Sequence, residues 1–261
     1  MRHFFVPEQT LIAVATGTEV ALPKEVAHHI RTVLRLAVGT EIILGDGLGG
    51  CWRCAIVGFS SNTAVVIVKQ QWHTAETALN VQLLQGLPTG DKFDLILQKN
   101  TELGVSAFQP LVTQRSQGAV PANKLGKKLE RWQRIISEAA RQSERAWLPQ
   151  VAVPLSLPVA VAQCDAALKL MLWEQGTQPL REVLPMERPQ SVAVLVGPEG
   201  GLSCAEAEQA QEQGFVSVTL GPRILRTETA GVAISSILQF HYGDFNLVPQ
   251  RHKPATLADN G

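Results

Sequence analysis

The chain of 261 residues predicts two folded units, a small β-rich unit at the N-terminus and an α/β domain with a mainly parallel sheet. Three observations support this prediction. Short β-branched runs separated by turn residues occupy residues 41–69, and strand-like and helical segments alternate from about residue 79 onward. Apolar residues make up 45% of the chain, which is enough for packed cores in a protein of this length.

The N-terminal unit is expected to be a meander of strands with one helical insert. The runs EIIL, CWRCAIVGF and TAVVIVK are separated by the turn clusters GDGLGG and SSN. A helix is predicted in PKEVAHHIRTVLRL, because Pro23 suits a helix start and apolar residues recur there at helical spacing: Val26, Ile30, Val33 and Leu34. A short polar stretch around QQWHTAETA separates this unit from the next.

In the C-terminal unit each strand-like run precedes a helical segment. VQLLQGL precedes DKFDLILQKNTELG, AFQPLVT precedes NKLGKKLERWQRIISEAARQSERAW, and ALKLMLW, SVAVLV and FVSVTL are each followed by helical stretches. This alternation predicts parallel strands with helices packed on the sheet. Ligands of such sheets bind beyond the carboxyl ends of the strands, so the loops at those ends are the first candidates for a site.

The loop at residues 197–201, GPEGG, connects the strand SVAVLV to a helix. It matches neither a P-loop nor a dinucleotide-binding fingerprint, and Glu199 at its centre would repel a polyphosphate. Ser203 and Glu206 have the spacing of a capping box, and Gly214 suits the end of the helix that they begin. Two interpretations stay open: a tight turn whose glycines adopt positive φ and bind nothing, or a loop whose backbone donors face a ligand.

A second loop of similar character follows the strand FVSVTL. Gly221-Pro222 turns the chain, and Thr227 or Thr229 is expected to cap the next helix, whose surface is rich in small residues. This loop carries Arg223 and Arg226, whereas the first loop is acidic. Two such loops at successive strand ends favour a ligand pocket between them.

Composition argues against disulfide scaffolds, metal sites and membrane spans. The four cysteines, at positions 51, 54, 164 and 204, are too scattered for a disulfide framework, and CWRC lacks the second Cys or His pair of a zinc site. We therefore expect Cys51 and Cys54 to be buried or half-buried thiols, and no metal. No run approaches the ~18 consecutive apolar residues of a membrane span, and the N-terminus lacks a signal-peptide pattern, so we expect a cytoplasmic protein.

Positive charge is concentrated in one segment, although the chain has 23 Lys and Arg and 23 Asp and Glu. Residues 115–145 carry eight Lys or Arg against three Glu. On the predicted helix only Glu130 lies four residues before an arginine, Arg134, the order that best neutralises an arginine within a helix. Such a charge run is either a solvated face or a surface for RNA phosphates or an acidic partner, and unpaired arginines favour the second. We call these residues the basic stripe: Lys127, Arg131, Arg134, Arg141 and Arg145.

Four motifs in one order resemble a known family. LVGPEGGLS and LGPRILRTETA, with QKNTELGV upstream and HHIRTVLRL near the N-terminus, resemble the bacterial RsmE family, which methylates N3 of a uridine in small-subunit ribosomal RNA. The resemblance extends from RHFFV to HYGDF. It implies a PUA-like small β-barrel that binds RNA (1–74), a SPOUT α/β methyltransferase domain with a trefoil knot (75–246) and a polar tail (247–261). It also implies S-adenosylmethionine as cofactor, a homodimer, and ribosomal RNA or the assembled small subunit as partner.

The resemblance also implies site residues at matching positions. Arg226 is the candidate for stabilising charge on the uracil oxygens, and Glu228 or Glu199 for handling the proton at N3, although structural roles for all three stay open. Three loops after successive strands are expected to hold the cofactor. Their residues are Leu172, Trp173, Glu174, Gly197, Pro198, Glu199, Gly200, Gly201, Leu220, Gly221, Ile224, Leu225 and Thr227.

RNA contacts are expected from the N-terminal unit and from the edge of the long helix. The chain departs from the common family pattern at Arg141, which replaces an acid, at Glu144, which replaces a glycine, and at Gln114, where an acid is frequent. Two alternatives stay open: a SPOUT-type enzyme with another target nucleotide, and a ribosome-assembly protein without catalysis. The expected RNA-binding residues are Arg2, His28, His29, Arg31, Arg35, Arg115, Arg131, Arg134 and Arg145.

Overall fold

A computed structural model describes residues 1–60, 63–76, 79–117, 120–176 and 178–247, and within them the strands form two main sheets. The N-terminal sheet consists of β1 (Arg2–Phe5), β2 (Glu19–Ala21), β3 (Glu41–Gly45), β4 (Gly50–Phe59) and β5 (Ala64–His73). Its order is β1-β3-β4-β5-β2, with β1 parallel to β3 and the other neighbours antiparallel. The predicted meander of three strands is therefore present as β3 to β5.

Alternating side chains of this sheet form the first hydrophobic core. Ile42, Leu44, Ile56 and Val66 are almost fully buried in it, as the two-residue period of a strand requires. The predicted helix begins after Pro23, as expected, but its regular part is short: α1 (Lys24–His28) continues as a π-helical turn at His29–Val33. A 3-10 turn at Glu8–Thr10 follows β1.

The C-terminal sheet has eight described strands, and all its recorded neighbours are parallel, which confirms the predicted sheet type. The strands are β6 (Asn80–Gly86), β7 (Ala107–Val112), β8 (Gln150–Val151), β9 (Leu155–Ser156), β10 (Leu168–Leu172), β11 (Gln178–Pro179), β12 (Ser191–Val196) and β13 (Val216–Thr219). Their order is β11-β13-β10-β12-β6-β7-β8, and β9 also pairs with β7.

Helices cover both faces of this sheet. They are α2 (Lys92–Glu102), α3 (Ala122–Gln142), α4 (Leu157–Gln163), α5 (Leu180–Val183), α6 (Cys204–Glu212) and α7 (Thr227–His241). In β12, Val192 and Val194 belong to the core that contains α2, α3 and α7, whereas Ala193 and Leu195 belong to the core that contains α4 and α6. Burial on both faces explains why this strand is a continuous apolar run in the sequence.

The strand order places three loops at one edge of the sheet. Strand β10 lies between β12 and β13, and all three run in the same direction. The carboxyl ends of neighbouring parallel strands meet at one edge, so the loops that follow β10, β12 and β13 emerge side by side.

The segment after α3 connects the two sheets. The Trp147 indole Nε1 donates a hydrogen bond to the Thr74 carbonyl at 2.8 Å, and the Leu148 amide donates to the Gly47 carbonyl at 2.9 Å. Arg145 contributes from the same segment, because its guanidinium donates to the Thr101 carbonyl at 2.8 Å and pairs with Glu76 at 2.9 Å. The N-terminal sheet is therefore fixed against the C-terminal domain by hydrogen bonds as well as by packing.

Helix boundaries test the predicted caps. Ser203 and Glu206 form the expected capping box at the start of α6, and Gly214 has the left-handed conformation expected after its end, with φ of +85°. The prediction for α7 was wrong: its N-cap residue is Arg226, whose side chain caps nothing. Thr227 is instead the first helical residue, and its hydroxyl bonds to the Gly197 carbonyl across the domain.

The C-terminus of α3 ends in a Schellman motif at the position of an unusual residue. The Arg145 amide donates to the Ala140 carbonyl and the Glu144 amide to the Arg141 carbonyl, at 2.9 Å and 3.4 Å. Glu144 has φ of +59°, a left-handed conformation that glycine adopts without strain. The family resemblance implies a glycine at this position, and the left-handed conformation explains why glycine is suitable. In this chain Glu144 adopts the same conformation although it has a side chain.

Among the residues that the structure describes, no helix is both long and apolar enough to span a bilayer. Leu247, the first residue of the predicted polar tail, is exposed, and residues 248–261 lie outside the described part of the chain.

Replacing Glu144 by glycine is expected to raise the free energy of unfolding by about 1 kcal/mol, because the strain of a left-handed L-residue is removed. Urea denaturation measures this change. Gln133→Gly is the matched control: Gln133 is exposed within regular α3, so glycine there is expected to lower stability by about 1 kcal/mol. A loss of stability in Glu144→Gly would contradict the interpretation.

Candidate active site

The three loops at the sheet edge enclose a cleft of about 610 Å³, within the size range of small-molecule sites. The first loop begins at Leu172, the last residue of β10, and continues to Glu174. The loop 197–201 follows β12, and the segment 220–227 follows β13 and ends at the first residue of α7. Lys92 from the start of α2 also faces the cleft. Almost all of the predicted cofactor residues line it together with both predicted catalytic residues: Leu172, Trp173, Glu174, Gly197, Pro198, Glu199, Gly201, Leu220, Gly221, Ile224, Leu225, Arg226, Thr227 and Glu228.

Gly200 is the exception among the predicted cofactor residues, because it does not line the cleft. A Cβ atom on Gly200 would lie 3.1 Å from Cβ of Arg115, so this glycine faces the loop after β7. The Arg115 guanidinium donates to the Gly200 carbonyl at 2.8 Å. Arg115, expected to contact RNA, therefore holds the outer side of the 197–201 loop.

Glu199 fastens the same loop to the start of α2. Its carboxylate accepts hydrogen bonds from the Thr89 amide at 3.0 Å, the Thr89 hydroxyl at 2.7 Å and Lys92 Nζ at 2.7 Å. Burial by itself would raise the pKa of Glu199, but the hydrogen bonds from Lys92 and Thr89 outweigh it and lower the pKa to about 2. Glu199 is therefore an ionised structural clasp, which makes it a poor proton acceptor at neutral pH.

The inner side of the loop is held by a pair of buried polar residues. The Thr227 hydroxyl donates to the Gly197 carbonyl at 2.6 Å, and Gln85 Nε2 donates to the Thr227 hydroxyl oxygen at 2.8 Å. Sequence reasoning missed Gln85. The available signal was a glutamine near the carboxyl end of an otherwise apolar strand, VQLLQGL, in an element that sequence alone predicts to be buried.

The cleft combines apolar walls with charged groups. Leu172, Trp173 and Leu225 supply apolar surface, and the Glu174 carboxylate lies 3.5 Å from the Cβ position of Gly201. Oε2 of Glu228 is buried and has no hydrogen-bond partner within the described residues. Carboxylates and the cationic side chains of Lys92, Arg223 and Arg226 both line the cleft, so it suits a ligand that carries charges of both signs. The unpaired carboxylate oxygen of Glu228 is available to accept a proton.

The predicted RNA-binding residues of the N-terminal unit lie at the surface. Arg2, His28, Arg31 and Arg35 are exposed, and His29 is half-buried. Burial lowers the pKa of His29, and so do the positive charges of Arg141, Arg2 and His28 in its surroundings. Because α3 packs against β1, the end of the basic stripe lies near these N-terminal residues.

The expectation that the arginines of α3 and the segment after it are unpaired was wrong for two of them. Arg131 forms ion pairs with Asp94, which lies in the neighbouring helix α2, and with Asp91, the residue before that helix. Arg145 forms an ion pair with Glu76 and donates hydrogen bonds to backbone carbonyls. The acidic partners lie outside α3, so the helix sequence alone does not show them. Arg134 is exposed and makes no ion pair within the described residues.

Within the described residues no cluster of three or more His, Cys, Asp or Glu side chains is arranged to hold a metal ion. Cys51 and Cys54 are buried, as expected; Cys164 is buried too, and Cys204 is exposed at the start of α6. Burial raises the pKa of Cys51 to about 11 and that of Cys54 to about 12. Both thiols are therefore protonated at neutral pH.

Replacing Glu199 by glutamine is expected to lower the free energy of unfolding at neutral pH by up to about 1 kcal/mol, since the ion pair with Lys92 is lost. The folded-state pKa is depressed, so the wild-type carboxylate stabilises the fold above its usual pKa of 4.5 and less as pH falls toward about 2. The difference in melting temperature between the two proteins should therefore shrink across that window. Glu208→Gln, an exposed change in α6, should melt at the wild-type temperature at every pH. If the melting temperatures of Glu199→Gln and wild type stay equally far apart at all pH values, the role of Glu199 as a clasp is contradicted.

Comparisons with known proteins agree with both units. Residues 75–239 match the family model of an RNA methyltransferase domain, and residues 22–69 match that of an RNA methyltransferase PUA domain. The Ribosomal RNA small subunit methyltransferase E of Synechocystis sp. is 39% identical over 243 residues, which cover 90% of this chain and 76% of that protein.

Two solved structures are similar over nearly the whole chain. A Legionella pneumophila methyltransferase in complex with S-adenosylmethionine is 31% identical with a TM-score of 0.86, covering 94% of this chain and 99% of that one. The Ribosomal RNA small subunit methyltransferase E of Neisseria gonorrhoeae, bound to S-adenosylmethionine, is 33% identical with a TM-score of 0.84 and the same coverage. The predicted PUA-like domain and SPOUT-type α/β domain are thereby confirmed, whereas the trefoil knot stays a prediction. The chain belongs to the ribosomal RNA small subunit methyltransferase E family.

Proposed function

We propose that the protein transfers the methyl group of S-adenosylmethionine to N3 of a uridine in small-subunit ribosomal RNA. The observation that carries the proposal is the cleft formed by the three loops, whose surface matches the chemistry of this cofactor. Two similar proteins have S-adenosylmethionine bound in their solved structures, which supports the proposal.

The cleft has the groups that this cofactor requires. S-adenosylmethionine supplies an electrophilic methyl group on a positively charged sulfur. The carboxylates of Glu174 and Glu228 offer negative charge to its cationic groups, and Leu172 and Leu225 offer apolar walls to its adenine. Backbone groups of the 197–201 loop supply polar contacts without a lysine-rich phosphate site.

The residues of the chain contribute positioning, exclusion of water and proton handling. A methyl transfer is an in-line displacement, so holding the acceptor nitrogen in line with the methyl group supplies much of the acceleration. The N3 proton of uridine must leave, because the neutral imide has no free lone pair there. We assign acceptance of that proton to Glu228, whose Oε2 is buried without a partner in the described chain, and stabilisation of the uracil oxygens to Arg226.

We propose a division of labour in which residues 1–74 bind RNA and residues 75–246 carry out methyl transfer. His29 lies near Arg2 of the N-terminal unit and near Arg141 of the basic stripe, so arginines of the two units meet at the boundary between them. Arg134 extends the proposed RNA-binding surface, whereas Arg115, Arg131 and Arg145 are committed to structural contacts. Because the proposed substrate is ribosomal RNA or the assembled small subunit, we propose that the protein acts in the cytoplasm.

We propose that the protein is a homodimer that associates through α7 and the segment after it. Ile237, Phe240, Phe245 and Leu247 are large apolar residues exposed there. Clusters of exposed apolar side chains mark interaction surfaces.

Phe240→Asp is therefore expected to convert a dimer into a monomer in sedimentation experiments, because it places a charge in the apolar contact. Met186→Asp is the matched control, since Met186 is an exposed apolar residue on another part of the chain. A monomeric wild-type protein at working concentrations would refute the dimer.

The function is tested by mapping methylated uridines in small subunits from cells that lack this protein, before and after incubation with the purified protein and S-adenosylmethionine. One new N3-methyluridine is expected. Glu228→Gln is expected to lower the rate by about 10²–10⁴-fold, as removal of a general base does. Glu212→Gln, an exposed change in α6, should retain the wild-type rate. Methylation of another atom, or none with any form of the substrate, would refute the proposal.

A further inference from the structure

Gln85 lies at the junction of the two main walls of the cleft. It precedes Gly86 at the end of β6, and its partner in the neighbouring strand β12 is Val196, the residue before the 197–201 loop. Its side chain has no exposed surface. Strand register alone therefore places a buried amide beside the start of that loop.

The hydrogen bonds around this amide have a defined direction. Gln85 Nε2 lies 2.8 Å from the Thr227 hydroxyl oxygen, 3.2 Å from the Gly197 carbonyl and 3.0 Å from the Gly86 carbonyl. The Thr227 hydroxyl uses its single proton toward the Gly197 carbonyl, so its oxygen accepts from Gln85. Three segments of the chain thus share one hydrogen-bonded centre.

We propose that Gln85 is a positioning residue for cofactor binding, a role that rests on the proposed function. Gly197 begins one wall of the cleft and Thr227 ends another, and both line it. Gln85 donates hydrogen bonds to both residues and so fixes the distance between the two walls before the cofactor binds. Preorganisation of this kind raises affinity, because less conformational freedom is lost on binding.

The stability of the sheet does not explain this glutamine. Oε1 of Gln85 is buried and has no hydrogen-bond partner within the described residues, and a buried acceptor without a partner destabilises a fold. The hydrogen bonds that Nε2 of Gln85 donates to Gly197 and Thr227 explain why a glutamine is present here. Gln109 in neighbouring β7 offers a comparison: it is also buried and donates to the Pro110 and Val153 carbonyls, but neither of these partners lines the cleft, whereas Gly197 and Thr227 do.

The test compares Gln85→Met with Gln109→Met, which each remove a buried strand amide. Calorimetry with S-adenosylmethionine and with S-adenosylhomocysteine measures affinity, and thermal unfolding of the protein without cofactor measures stability. Gln85→Met is expected to weaken both ligands about tenfold or more, whereas Gln109→Met should bind like wild type despite a similar loss of stability. Equal affinities for wild type and Gln85→Met would overturn the inference.

Two further variants separate positioning from general destabilisation. When Gln85→Met is added to the Thr227→Val variant, it should weaken cofactor binding by a smaller factor than when it is added to the wild-type protein. The reason is that Gln85 and Thr227 belong to the same hydrogen-bonded centre. If Gln85→Met does not fold, Gln85→Glu keeps the shape and turns a carboxylate oxygen toward the Gly197 carbonyl, and its affinity should fall further at pH 8 than at pH 6. Additive effects, or a pH-independent wild-type affinity in Gln85→Glu, would overturn the inference. A wild-type protein that fails to bind S-adenosylmethionine would instead refute the proposed function.

Discussion

The hydrogen bond from the Thr227 hydroxyl to the Gly197 carbonyl joins two segments that lie 30 residues apart and that supply two walls of the cleft. Parallel pairing of β12 with β6 brings Gln85 to the same point, so the strand ends and the start of α7 are fixed together. The other contacts of the 197–201 loop reinforce this centre from outside. Glu199 ties the loop to the start of α2, and Arg115 ties it to the loop after β7. A glycine-rich loop that would otherwise be flexible is therefore held on three sides.

Several charged residues of the predicted RNA-binding surface hold parts of the fold together. Arg131 and Arg145 belong to a basic segment that suggests phosphate binding, yet each has acidic partners from other elements. The surface that we propose for RNA is therefore narrower than the sequence suggests and extends from the N-terminal sheet to the end of α3. Glu144, held in a left-handed conformation at that end, shows that this edge tolerates strain.

The order of elements and the position of the cleft could be predicted from sequence, because apolar runs and loop motifs alternate regularly and ligands bind where parallel strands end. The capping box of α6 is local and was equally predictable. Contacts between segments that lie far apart in the chain could not be predicted from the sequence. In the sequence, Gln85 cannot be distinguished from other buried strand residues, and Thr227 has the residue type and position of a helix cap. Gly200 cannot be distinguished from the glycines beside it, and only the folded loop shows in which direction each residue faces.

The 197–201 loop is expected to have its binding conformation before the cofactor arrives. Crystal structures of the protein alone and with S-adenosylmethionine test it most directly, by superposition of the sheet and measurement of the backbone from Gly197 to Leu202. The contacts described above predict a displacement below about 1 Å, as in other preorganised sites. A loop that is disordered in the protein alone, or that moves by more than about 2 Å, would contradict the account.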